Sequence, residues 1–215
     1  MARGWFKMKI SVIGCGRWGT FIAYYLNSIG HDVTLYGRVR TEAMDRLLSE
    51  RKNDYLTLPE KITLSTSLKE TLSAPTIVIS INSQGLRSLF GEIVEVGCGA
   101  RDYVLCMKGI EVGTCKRLSE IATECSAPGS RVAVWIGPGH VQEFLRGTPN
   151  CMVIDSTNDE YKHMLVDAFT SRLIRFYYGT DIIGNEIGAA SKNVIGIAAG
   201  MLDGFGMSAL KGALM

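Results

Sequence analysis

Apolar positions along the chain fall into short runs rich in β-branched residues, separated by longer stretches with helical spacing. "KISVI" at 9–13, "DVTLY" at 32–36, "KITLS" at 61–65, "TIVISI" at 76–81, "DYVLCM" at 102–107, "RVAVWI" at 131–136, and residues 151–154 and 172–177 read as strands. Between them the pattern predicts helices at 19–30, 41–52, 84–94, 114–125 and 158–169, and a short one near 140–146. Gly30 closes the first of these and Thr41 is the expected N-cap of the second. "TIVISI" is apolar throughout, as a strand buried on both faces of a parallel sheet would be. Repeated alternation of strand and helix implies an α/β fold with an open, mostly parallel sheet and helices on both faces. Residues 179–206 lack strand character and are rich in Ala, Gly and Ile at helical spacing. They predict a long, buried helix that opens an all-helical second domain.

The glycines sharpen this picture. Gly14, Gly16 and Gly19 follow the first strand and open the first helix at G-x-G-x-x-G spacing. In a strand–turn–helix setting the first allows a tight turn and the second lets backbone approach a pyrophosphate. The third lets helix and strand pack closely, while the helix N-terminus offers free N–H groups to phosphate. The expected architecture is therefore Rossmann-type. It divides into an N-terminal extension (1–7), a dinucleotide-binding domain (8–178) and the start of a helical substrate domain (179–215).

An NAD-preferring site commonly carries an acid about 20 residues after the glycines, bonded to the ribose 2′-hydroxyl. Here the second strand runs into Tyr36-Gly37-Arg38-Val39-Arg40, with two arginines and no acid. A guanidinium suits a 2′-phosphate, so NADPH is the preferred cofactor and NADH the other possibility. The alternative reading makes these arginines solvated loop residues.

Two further stretches lie where ligands gather, at the carboxyl ends of strands: "CMKGIE" (106–111) and "WIGPGHVQE" (135–143). Lys108 can meet an anionic or carbonyl group, and Gly137 and Gly139 allow close approach to the backbone. Both stretches are equally readable as plain turns. Lys192, alone on an apolar small-residue helix, is costly to bury without a partner. Burial would lower its pKa and make it a candidate proton acceptor, whereas an exposed helix face would make it an ordinary surface lysine.

Composition excludes more than it selects. The 215 residues are 47% hydrophobic and 20% charged, with net charge +2, which gives no reason to invoke nucleic acid or a membrane surface. No apolar run is long enough to insert in a membrane. Six cysteines without C-x-x-C spacing, and three histidines, argue against a metal site and predict small buried thiols in a reducing, cytoplasmic compartment.

Taken together, these motifs resemble prokaryotic-type NAD(P)-dependent glycerol-3-phosphate dehydrogenase. "ISVIGCGRWGT" is similar to its fingerprint and "LYGR" to the end of its second strand. "INSQGLR" stands where the family has a V-P-S-x-x-x-R type turn, with Asn82 in place of the proline. "MKGIE" is similar to T-K-G-[IL]-E, "IGPGHVQE" to S-G-P-[ST]-x-A-x-E, and "IGNEIGAASKNVIGIAAGMLDG" to the G-G-[AS]-x-K-N helix.

The resemblance implies interconversion of dihydroxyacetone phosphate and sn-glycerol 3-phosphate, feeding phospholipid synthesis. It assigns Gly14, Gly16, Arg17, Trp18, Gly19, Arg38, Lys108 and Val141 to the cofactor. Lys108, Gly137, Gly139 and Lys192 go to the small phosphate substrate, with Lys192 as the proton acceptor. Gly139 replaces the family's usual hydroxyl residue and Val141 a smaller alanine. Most of the family's C-terminal helical domain, with an aspartate and an Arg-Asn pair that engage substrate, is expected to be lacking. That leaves as alternatives a non-catalytic NADP-binding module and a related 3-hydroxyacid or ketopantoate-type dehydrogenase. The apolar 180–204 helix suggests a homodimer.

Overall fold

The computed structural model describes residues 7–207. The expected extension therefore lies almost wholly outside the described residues, as do residues 208–215. Eight strands form one sheet: β1 (Lys9–Ile13), β2 (Asp32–Tyr36), β3 (Thr63–Ser65), β4 (Thr76–Ile79), β5 (Asp102–Leu105), β6 (Arg131–Ile136), β7 (Asn150–Ser156) and β8 (Ile174–Tyr178). The helices are α1 (Arg17–Ser28), α2 (Glu42–Glu50), α3 (Leu68–Thr71), α4 (Leu86–Val96), α5 (Leu118–Cys125), α6 (Val141–Leu145), α7 (Asp159–Phe169) and α8 (Ile182–Gly204).

The strand order is β3-β2-β1-β4-β5-β6-β7-β8. Every pairing is parallel except β6 with β7, where the chain reverses. Strand side chains alternate between two cores. Ile10, Val12, Val78, Val104 and Trp135 pack with Phe21 and Tyr25 of α1 and Leu165 and Phe169 of α7. Ile13, Ile77, Ile79 and Leu105 pack on the other face with Phe90 of α4 and Ile121 of α5. This two-sided burial is why β4 carries no polar alternation.

Three expectations need correction. The helix expected at 114–125 begins only at Leu118. Residues before it form a turn, with Cys115 at φ 57 and an isolated bridge from Ile110 to Arg117. Helix α3 was not anticipated; Ser67 caps it by accepting from the Glu70 N–H. The thiols are free, but only Cys106 is buried, while Cys115 and Cys151 are exposed.

Helix α8 forms as expected, and little among the described residues covers it. Only Glu186 and Ala199 are shielded from solvent among its residues. Ile183, Ile187, Val194, Ile197 and Met201, with Phe205 just beyond, recur at helical spacing and form one exposed apolar stripe. The element packed against this helix is mainly β6, with β7 behind it.

Candidate active site

Strand β1 pairs with β2 on one side and β4 on the other, so the connections after β1 and β4 leave in opposite directions and open a crevice at the strand ends. A cleft of about 590 Å³ lies there. It is lined by Gly14 to Trp18 after β1 (Cys15 excepted), Ser80 to Asn82 after β4, Cys106 to Lys108 after β5, and Gly137 and Gly139 after β6, with Trp135 behind. A second recess of about 370 Å³ continues past Gly14 and Asn82 to Tyr36, Gly37, Arg38 and Thr41.

The three fingerprint glycines are needed for different reasons. Gly14 has φ +112, and a Cβ there would meet the Ser80 carbonyl oxygen at 2.1 Å; one at Gly19 would meet the Gly14 oxygen at 1.9 Å. At Gly16 a Cβ meets nothing within 4 Å: that position faces open space. Helix α1 behind it has no side-chain cap and no acid in its first turn. Its free N–H groups and dipole thus point into the opening, which suits an anionic group such as a pyrophosphate. The open face at Gly16 thus adjoins an uncapped helix N-terminus.

Arg17 and Trp18 flank this cradle. Arg17 donates to the Gln142 side chain and stacks 4.5 Å over the Tyr55 ring. Trp18 is half-buried against Phe21 and Phe144. Arg38 is exposed beside the second recess, where its guanidinium donates to the Glu92 carboxylate.

Lys108 lies at the mouth of the main cleft and donates to the Gly137 carbonyl at 3.3 Å. Its pKa is lowered, first by partial desolvation and then by the positive charge of Lys192. The two lysines, 84 positions apart in sequence, thus share one electrostatic environment. Lys192 itself is exposed, the second of the two readings that its place on the helix allows. Val141 is 2% exposed and sits in the core, so its side chain is not part of the cleft lining and only its backbone is left to reach a ligand.

Gly137 and Gly139 line the cleft but are also constrained from behind. A Cβ at Gly137 would lie 2.8 Å from Met152 Cγ, and one at Gly139, where φ is +153, would lie 2.4 Å from the Phe144 ring. Glycine at 139 is thus explained by packing.

Three polar clusters that support the site were not singled out from the sequence. Arg87 makes a fork to Glu111, with both N–H···O distances 2.9 Å, tying α4 to the loop that carries Lys108. These bonds, then one from Thr114, hold the Glu111 pKa down to about 2. Buried Glu186 on α8 accepts from the Ser119 N–H at 2.9 Å, from the Ser119 hydroxyl, and from Arg117 at 2.8 Å. Asn185 next to it donates to buried Asp155 at 2.7 Å, and Lys162 stands 3.6 Å from the same carboxyl. Together these fix the N-terminal half of α8, and hence the approach of Lys192, against α5 and β7. The available signal was Glu186, as anomalous as Lys192 on an apolar helix; its partners lie too far off in sequence to be named.

Comparison with known proteins agrees with this geometry. Residues 9–162 match the family model described as NAD-dependent glycerol-3-phosphate dehydrogenase N-terminus. A glycerol-3-phosphate dehydrogenase [NAD(P)+] of Thermoanaerobacter sp. (strain X514) is 36% identical over 212 residues, covering 97% of this chain and 64% of the relative. One from Chlorobium limicola is 39% identical over 207 residues, covering 93% of this chain and 62% of the relative. The chain therefore spans somewhat less than two thirds of these relatives' length. The crystal structure of glycerol-3-phosphate dehydrogenase from Coxiella burnetii superposes with a TM-score of 0.84 at 26% identity, covering 97% of this chain and 65% of that one. With the glycine cradle, the strand-end cleft and the matched residues in agreement, the chain belongs to the NAD-dependent glycerol-3-phosphate dehydrogenase N-terminal family.

Proposed function

We propose that this chain forms the cofactor-binding part of an enzyme that interconverts dihydroxyacetone phosphate and sn-glycerol 3-phosphate, a precursor of phospholipids. The observation that carries this reading is the strand-end cleft. It joins the open cradle at Gly16 to Lys108, whose charge responds to Lys192. The nicotinamide cofactor, when bound, supplies or accepts the hydride at C2 of the substrate.

The protein's part is electrostatic and positional. Gly14, Gly16 and the N-terminus of α1 hold the pyrophosphate, with Gly19 keeping helix and strand together. Arg17 and Trp18 border it, and the Val141 backbone lies on the same side. Arg38 stands by the adenosine ribose and favours NADPH over NADH. Lys108 meets cofactor and substrate, with Gly137 and Gly139 leaving room for the latter. Lys192 returns a proton to the C2 oxygen in the reductive direction and takes it back in the oxidative one. Two ammonium groups near a developing alkoxide lower the barrier.

The free thiols support a reducing, cytoplasmic setting. Among the described residues no helix is long and apolar enough to cross a membrane. The exposed stripe on α8 supports self-association as a homodimer.

Trp18 and Trp135 line the cleft, so NADPH titration read by tryptophan fluorescence tests the reading directly. Saturable quenching is the expected result. Absence of saturable quenching by either NADPH or NADH would overturn the cofactor assignment. In sedimentation, a clean monomer at micromolar concentration would remove the dimer.

A further inference from the structure

We propose that Glu92, on α4, is a specificity-determining residue for the 2′ position of the cofactor's adenosine ribose. It acts as the carboxylate that the end of β2 lacks. The proposal rests on the reading that a nicotinamide dinucleotide occupies the cleft.

In a sheet of this kind the adenosine ribose lies beyond the end of β2, where a carboxylate would accept the 2′-hydroxyl and an arginine would attract a 2′-phosphate. The residues after β2 supply arginines, Arg38 and Arg40, and no acid. The fold brings in the acid from 54 positions away, and Arg38 Nη2 donates to Glu92 Oε1. Both side chains remain accessible, at 60% and 36% of their full exposure, so a ligand can reach either partner.

The neighbourhood of the pair is the second recess of the cleft. Arg38 and Tyr36 both line it, together with Gly37, Thr41 and Leu89, the last on the same helix as Glu92. The Tyr36 hydroxyl responds to both members. Its pKa is raised first by burial and then by Glu92, and lowered by Arg38. The negative charge of Glu92 is therefore felt inside the recess.

Two consequences follow from elementary electrostatics. A 2′-phosphate that approaches Arg38 must share the guanidinium with Glu92 and is repelled by its charge. A 2′-hydroxyl has no such penalty and can donate to the carboxylate. Glu92 thus narrows the preference for NADPH that Arg38 alone would create. Removing its charge widens that preference. For unit charges ~5 Å apart in water, Coulomb's law gives about a fourfold change in affinity, which shrinks as salt is added.

The test is the ratio of the NADH to the NADPH dissociation constant at low ionic strength, for wild type, Glu92→Gln, Glu92→Lys and Arg38→Ala. The ratio should rise about fourfold in Glu92→Gln and further in Glu92→Lys, fall in Arg38→Ala, and depend less on residue 92 at 0.5 M salt. Unfolding midpoints, measured alongside, should stay close to wild type because the pair is exposed. Binding of both cofactors with a ratio that residue 92 does not move would overturn the assignment of Glu92 while leaving the cofactor site standing. If wild type bound neither dinucleotide, the cofactor reading itself would fall and this proposal with it.

Discussion

Installing at position 139 the hydroxyl that the resemblance implies, by Gly139→Ser, should weaken this protein rather than improve it. The backbone at Gly139 has φ +153, in a region that only glycine adopts freely, and non-glycine residues there cost about 1–3 kcal/mol. The new Cβ would also sit 2.4 Å from Phe144 Cε2 and 2.6 Å from its Cζ. That ring stacks on Phe21 at 5.0 Å and lies in the main core, so it cannot simply swing away. Overpacking of this kind costs about 1–3 kcal/mol. The two terms share a cause and are not fully additive, so a net loss of about 3 kcal/mol is expected. For a chain of this size that lowers the melting temperature by about 6–12 °C. Thermal and urea unfolding, followed by circular dichroism, measure it. In a Phe144→Leu background the ring contact is gone, and Gly139→Ser should cost less, about 1–3 kcal/mol from the backbone alone. An unfolding midpoint within about 1 °C of wild type for Gly139→Ser would refute the argument.

Two further outcomes rest on buried polar groups. Glu186→Ala removes the acceptor of both Ser119 donors and one of the two carboxylates that Arg117 meets, Glu120 being the other, so about 1–3 kcal/mol should be lost, with hydrogen exchange rising first in α8; unchanged protection of α8 would contradict its anchoring role. His31 is buried, accepts from the Met8 N–H and donates to the Ala168 carbonyl, and burial lowers its pKa below the ordinary value. The unfolded chain therefore binds a proton that the folded chain refuses. Stability from this group is complete above about pH 6.5 and is lost as pH falls from there toward the lower folded value. Urea unfolding at pH 7.5 and 5.5 should show that loss in wild type and a smaller one in His31→Gln, and equal slopes in the two would sink the assignment.

The pattern of β-branched runs by itself determined the strands of the sheet and most of the helices between them. The spacing of Gly14, Gly16 and Gly19 determined the cradle, because both are local: they depend on alternation and on backbone freedom within a few residues. Relations between distant residues were beyond its reach. The acid beside Arg38 was absent from the segment after β2 because it comes from α4. The Lys108 pKa is lowered first by desolvation and then by a charge that comes from α8, and Arg87 and Glu111 stood in separate motifs with nothing local to pair them. Burial is likewise a through-space property. An apolar helix implies a cover, yet what covers it depends on what packs against it; among the described residues nothing closes over the α8 stripe, while its one glutamate is buried. Tertiary structure alone decided these points, since charge and burial act through space between side chains that only the closed sheet brings together.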